Sequence, residues 1–151
     1  MTDRAPPTLR AARIEDASAC AQILNNWIDT TPWMPRVHSV AAVQAHYRDV
    51  VIPKRTMLVA ECDGKVAGYL AIDEAGDEIT SLYARDPGQG VGAALIAAAK
   101  TGRAQLSLWT FQANDGARRF YLREGFREGE RTAGENEEGL PDVQYLWECA
   151  P

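Results

Sequence analysis

A chain of 151 residues, 46% hydrophobic and 25% charged, has the make-up of an ordinary globular domain with enough apolar surface for one good core. Its net charge of -5, with no Lys/Arg cluster interleaved with aromatics, argues against a nucleic-acid surface and for a small-molecule partner. No apolar run reaches the roughly 18 residues that cross a bilayer, and the opening Met1-Thr2-Asp3-Arg4-Ala5-Pro6-Pro7 lacks an apolar signal core, so a cytoplasmic protein without membrane association is expected.

The chain begins with a short segment around Thr8 to Ile14. Asp16 then stands as an N-cap before Cys20, Ile23, Leu24 and Trp27, which fall on one face of an amphipathic helix. From Asp29 to Ser39 two prolines, Pro32 and Pro35, bracket Trp33 and Met34, which predicts a loop with apolar anchors. A second helix is expected over Val40 to Val51, ending before Pro53. Met57 to Cys62 and Lys65 to Ile72 flank Asp63-Gly64, a hairpin signal. Three cysteines, Cys20, Cys62 and Cys149, are scattered and lack a Cys-x-x-Cys pair, which predicts reduced, mostly buried thiols and no metal site.

The chain is organised around Glu78 to Lys100. Ile79, Leu82, Tyr83 and Ala84 predict a strand, Arg85-Asp86-Pro87-Gly88-Gln89-Gly90-Val91-Gly92 a turn, and Ala93 to Lys100 a helix. Glycines at every second position let the backbone turn its N–H groups inward, and a helix start beside them adds unpaired amides and a positive dipole end. The loop is either an anion cradle, most naturally for a phosphate, or a tight connection. Downstream come a strand, Gln105 to Thr110; a helix, Asn114 to Glu124, with Gly125 as its C-terminal glycine; a strand from Phe126; a polar acidic segment, Gly134 to Asp142; and a last strand, Val143 to Glu148. The order of elements implies a mixed sheet flanked by helices in one domain spanning residues 1–151, with no repeat or linker.

Pro87-Gly88-Gln89-Gly90-Val91-Gly92, preceded by Leu82-Tyr83-Ala84 and followed by a helix, resembles the acetyl-CoA pyrophosphate loop of the GCN5-related N-acetyltransferases (GNATs). Leu108-Trp109-Thr110, then Asn114, Ala117, Phe120-Tyr121 and Gly125-Phe126, resembles that family's downstream signature. The resemblance implies an α/β fold of the α+β type, a mostly antiparallel sheet of six to seven strands flanked by about four helices. It departs at Pro87, where the family usually has Arg or Gln, and the turn is about two residues shorter than usual. Pro87 has no N–H, so one phosphate donor is lost.

The resemblance implies transfer of the acetyl group of acetyl-CoA, with no metal, to a primary amine on a small molecule or peptide, by direct attack in a ternary complex. Tyr121 matches the family's acid, whose proton goes to the leaving thiolate; read alone, it is a core aromatic beside Phe120. Asn114 matches a residue that bonds the pantetheine arm and is equally a helix N-cap. By the same match Leu82, Tyr83 and Ala84 face pantetheine through their backbone, Gly88, Gln89, Gly90, Val91, Gly92 and Ala93 hold the pyrophosphate, and Ala117 and Phe120 complete the cofactor wall. Glu78, with Asp77, occupies the place of a carboxylate base acting through water, or a solvated turn. Trp27, Trp33, Met34 and Arg36 on the early loop and Glu137 and Glu138 on the late one are the candidates for the amine pocket. A homodimer stays open. Two other readings compete. Gly88-x-Gly90-x-x-Ala93 fits a dinucleotide fingerprint, against which Arg85-Asp86-Pro87 intervene between strand and glycines. A non-enzymatic acyl-CoA sensor would keep the loop and not need Tyr121.

Overall fold

The structure, a computed structural model, describes residues 6–150, so the Met1–Ala5 part of the leader reading lies outside the described residues. The first sheet runs β1-β2-β3-β4, all antiparallel, with β1 Thr8–Ala11, β2 Thr56–Cys62, β3 Lys65–Ile72 and β4 Ile79–Ala84. The expected hairpin is present: Asp63 and Gly64 take φ 54° and 75°, the left-handed pair of a type I′ turn whose twist matches the strands it joins. The second sheet has the order β5-β7-β6, from β5 Gln105–Phe111, β6 Arg127–Thr132 and β7 Asp142–Glu148. Where one sheet of six to seven strands was expected, seven strands are present, divided four and three between two sheets.

The helices are α1 Ala17–Thr30, α2 Val40–His46, the single turn α3 Ile52–Lys54, α4 Val91–Lys100 and α5 Asp115–Arg123. The second helix does not stop before Pro53 as expected. A wide π-type turn over Tyr47–Val51, where the Ile52 N–H reaches the Tyr47 carbonyl, carries it through Pro53 to Lys54. Proline is tolerated there because it opens a new turn and has little N–H bonding to forfeit. Asp16 does not cap α1 either. Its carboxylate accepts from the Arg13 N–H at 2.7 Å and from both terminal nitrogens of Arg10 at 2.8 Å, tying β1 to the start of α1. Asn114 does cap α5, its Oδ1 accepting from the Ala117 N–H at 3.1 Å. Gly125, at φ 93°, closes the far end of α5 with the Phe126 N–H on the Tyr121 carbonyl. Of the cysteines only Cys20 is buried, and Cys149 is exposed because it follows the end of β7.

β3 is covered on both faces, which is why its sequence reads as a continuous apolar run. Leu70 and Ile72 pack with Val91, Leu95, Ile96 and Ala99 of α4, while Tyr69 and Ala71 pack with Cys20, Ala21 and Ile23 of α1 and with Tyr47. Each fully buried Leu or Ile contributes about 1.5–3 kcal/mol by leaving water. Gly68 sets the approach of α4: a Cβ there would lie 2.7 Å from Val91 Cγ1 and 2.8 Å from the Tyr83 carbonyl oxygen. Only a residue without a side chain lets the helix start so close to the sheet.

The feature that makes the site is the seam between the sheets. β4 and β5 run parallel and touch at one bridge, Glu78 with Ser107, where the Ser107 N–H donates to the Asp77 carbonyl at 2.8 Å. Past that bridge the ladder ends, and the two strands line a cleft between them.

Candidate active site in the split between the sheets

β4 delivers the chain into the glycine loop. Gly88 and Gly90 have φ 84° and 81°, conformations that a side chain would strain, and a Cβ at either would meet no atom within 4 Å. The space above them is therefore open. The first carbonyl accepted inside α4 belongs to Gly90, from Ala94, so the N–H groups of Val91, Gly92 and Ala93 are the unpaired amides of a helix start. Gly88, Gln89 and Gly90 also donate to no protein acceptor among the described residues. Six consecutive donors beside a helix N-terminus form a concave positive surface without a charged side chain. Gly92 serves packing as well. A Cβ there would stand 3.1 Å from the Phe120 ring, so this glycine lets α5 lie against α4.

The loop borders a cleft of about 420 Å³ that continues between the diverging strands. Leu82, Tyr83 and Ala84 line it from β4, Gly88 through Ala93 from the loop, and Asn114, Ala117, Phe120 and Tyr121 from α5. All twelve residues predicted to hold a cofactor, together with Tyr121, are brought to this one space. Tyr121 is 8% exposed, and its ring is wedged against Phe120, Phe126 and Tyr145 at 5.3–5.7 Å. Its hydroxyl takes no hydrogen bond from the protein among the described residues, where no buried side-chain polar atom is left unpaired. The phenol oxygen therefore reaches accessible space, and the space Tyr121 lines is the cleft. Burial pushes its pKa well up, so the hydroxyl keeps its proton at any physiological pH.

This arrangement has counterparts. The model of the acetyltransferase (GNAT) domain matches residues 30–149, most of the chain. The chain belongs to the GNAT acetyltransferase family. It is 35% identical over 91 residues to uncharacterized N-acetyltransferases of Mycobacterium tuberculosis and Mycobacterium bovis, a match covering 53% of this chain and 58% of those proteins. It thus spans little more than half the length of the curated relatives it matches. Among solved structures it is similar to a GCN5-related N-acetyltransferase from Rhodopseudomonas palustris, with TM-score 0.78 and 22% identity over 99% of both chains. It is also similar to the PaiA N-acetyltransferase of Thermoplasma acidophilum in complex with coenzyme A, with TM-score 0.75 and 16% identity over 96% of this chain and 100% of that one. These structural likenesses establish the GNAT fold.

Of the remaining site residues named from the sequence, only Trp27 lines the GNAT cleft. Glu78 sits at the closed end, in the bridge itself. Its pKa is raised, first by desolvation and then by the nearby carboxylates of Asp73 and Asp77. Trp33 packs edge-on against Trp27 and against Phe111, both at 5.8 Å between ring centres. Arg36 is spent on tying the loop to α1: its guanidinium donates to Asn25 Oδ1 at 2.9 Å and pairs with Asp29 at 2.8 Å. Glu137 meets His38 Nε2 at 2.9 Å, joining the α1–α2 loop to the β6–β7 loop. The Tyr83 phenol is pushed up by burial first, then by Tyr47, Tyr121 and Glu138. Met34 donates its N–H to the Thr31 carbonyl in the same loop.

Among the lining residues outside the predicted site set are Trp109, Phe111 and Arg123. Trp109 and Phe111 alternate with the core residues Leu106 and Leu108 on β5, a period-of-two signal that was legible. Arg123 lines the cleft from the last turn of α5, its guanidinium 5.6 Å from the Phe120 ring centre. Only the helical spacing to Phe120 pointed to it.

Proposed function

We propose that the chain acts as one acetyltransferase domain that uses acetyl-CoA to acetylate a primary amine. The observation that carries this reading is the pairing, in one cleft, of six unpartnered backbone amides with a protonated, unbonded phenol. The amides of Gly88 through Ala93 suit a pyrophosphate, and the open space over Gly88 and Gly90 allows it close approach. Arg123 adds a cation at the rim. Leu82, Tyr83 and Ala84, at the free edge of β4, offer backbone groups to a pantetheine arm, with Asn114, Ala117 and Phe120 opposite. The loss of the Pro87 N–H leaves the cradle to the residues after it.

When bound, acetyl-CoA supplies a thioester carbonyl at which a C–N bond to the amine forms while the C–S bond breaks. Tyr121 donates its phenolic proton to the departing sulfur and is reprotonated from solvent. Burial serves this role, because a phenol that never ionises in the working range always carries the proton it must give. The amine's proton leaves through water to the Glu78 carboxylate, whose raised pKa makes it a better acceptor than an ordinary glutamate.

Release of free thiol from acetyl-CoA in the presence of a panel of amines, including peptides with free amino termini, tests the reading. Turnover with at least one amine is expected. Coenzyme A binding without turnover on any of them would favour a sensor, and an equal rise in melting temperature with NAD would return the loop to the dinucleotide reading.

A further inference from the structure

The cleft passes through the sheet, and its second mouth is walled by aromatic rings. On β5, Leu106 and Leu108 turn into the core shared with α4 and α5, so alternation sends Trp109 and Phe111 to the face that α1 covers. Tyr83 turns the same way on β4, where its neighbours Leu82 and Ala84 face the α4 core. On this face Tyr83 meets Trp27 at 5.6 Å, Trp27 meets Trp33, and Trp33 meets Phe111. The rings cross from β4 to β5 beyond the bridge that joins the two strands. Trp109 extends this wall and lines the cleft, yet it is 38% exposed and makes no ring contact among the described residues. A lone exposed indole needs no explanation, but one that continues a wall of rings inside a cleft is a surface for a ligand. On the loop that carries Trp33 the polar groups are already partnered, Arg36 with Asp29 and His38 with Glu137.

We propose that the acceptor is a primary amine carried by a short linker on an aromatic ring, and that Trp109 is the specificity-determining residue against which that ring stacks. The inference rests on the acetyl-transfer reading above. A flat apolar body matches the ring wall, and its ammonium group is drawn by the ring faces before it loses its proton. A polyamine or an amino sugar would instead need carboxylates and hydrogen-bond partners along its length, and the wall from Trp27 to Trp109 is ring surface.

The test compares kcat/KM for phenethylamine and butylamine in the wild-type protein, Trp109→Ala and Trp109→Phe. Stacking and burial of one ring favour the aromatic amine by about tenfold. Trp109→Ala should bring the ratio close to one, and Trp109→Phe should restore most of it. A wild-type ratio at or below one, or a ratio unchanged in Trp109→Ala, overturns the proposal. A readout independent of turnover is saturable quenching of tryptophan fluorescence by phenethylamine in the protein saturated with coenzyme A. Turnover of other amines of the panel without turnover of phenethylamine also overturns it. If no amine of the panel is acetylated although coenzyme A raises the melting temperature, the acetyl-transfer reading fails, and the titration decides the subsite alone. Saturation that is lost in Trp109→Ala then keeps the aromatic subsite, and no saturation overturns it.

Discussion

The two mouths of the cleft are built from different materials. On the α4 side, the surface offered to a ligand is mostly backbone: six amides from one unbroken stretch, Gly88 to Ala93, positioned because Gly68 and Gly92 remove side chains that would hold α4 away. On the α1 side, the surface is side chain, contributed by α1, the loop after it, β4 and β5, and tied by ring contacts and exposed polar bonds. Backbone amides present the same donors whatever the neighbouring side chains are, so the first mouth suits an invariant phosphate ligand. The second can be rebuilt by changing single residues without disturbing the first. A fold arranged in this way keeps one co-substrate and varies the other.

Tyr121 lines the cleft from α5, and its replacement should produce the largest effect. Tyr121→Phe keeps the ring against Phe120, Phe126 and Tyr145 and removes only the hydroxyl, so the fold should survive. General acid catalysis is typically worth roughly 100- to 10,000-fold, and a thiolate is already a fair leaving group, so a loss of about 100-fold in kcat is expected. KM for either substrate should move little, because the bond is made mainly in the transition state. Since burial raises the phenol, the wild-type rate should show no alkaline decline from Tyr121 up to about pH 9. A folded variant with wild-type kcat, under conditions where chemistry limits, would reduce Tyr121 to a core aromatic.

Gly90→Val is directed at the first mouth alone. Space is open above Gly90, so the cost is the left-handed backbone at φ 81°, which a β-branched residue adopts only with strain. The loop should relax away from this shape, and coenzyme A affinity measured by calorimetry should weaken by about tenfold or more, the scale of roughly 1.4 kcal/mol. The amine KM at saturating acetyl-CoA should change less. Equal losses for both substrates would mean that the mouths are not independent.

The same contrast explains what was legible in the sequence. Glycine spacing and the strand before it announce a backbone site, because positive φ and close approach leave a compositional mark at fixed offsets. Phe120-Tyr121 and Gly125 carried α5 and its cap for the same reason. The second mouth left aromatics scattered over four segments, and outside the β5 pair nothing local states which rings meet, Trp33 with Phe111 among them. Arg36 and Glu137 fit an amine pocket by residue type, whereas the fold commits their charged groups to Asp29 and His38. The Asp16 and Val51 boundaries were misread because a distant partner, Arg10, and a wide turn overrode local preference.

Glu78 tests whether chemistry is shared between the mouths at the closed end of the cleft. Its folded pKa is raised, so a base role predicts an acid limb of kcat/KM that falls as pH drops through a value above the ordinary 4.5. Glu78→Gln should remove that limb and cost about tenfold, less than direct proton abstraction because water intervenes. The sign for stability is the reverse of a salt-bridged carboxylate. A raised carboxyl binds its proton more tightly when folded, so its ionised form costs stability at neutral pH, and the cost disappears as pH falls through the folded value. Glu78→Gln should therefore be neutral to slightly stabilising near neutral pH in thermal melts. An unchanged acid limb would assign the proton to bulk solvent.

The smallest effect expected is at the tie between loops, His38 with Glu137, which joins the loop carrying Trp33 to the loop carrying Glu138. Both side chains are more than half exposed, and such pairs are worth about 0–1 kcal/mol, so Glu137→Gln should shift the melting temperature by at most about 2 °C. Its effect on the second mouth should nevertheless be readable. Loosening the loop lets Trp33 leave its place between Trp27 and Phe111, which raises the amine KM by about twofold and leaves the acetyl-CoA KM unchanged. Under conditions where the imidazole is protonated, salt supplies the control, because at about 1 M the screening length is about 3 Å and the exposed pair is largely cancelled. Wild type in high salt should then approach Glu137→Gln in low salt, and the variant should respond little to further salt. An amine KM that ignores both the substitution and the salt would show that ring packing alone holds the second mouth.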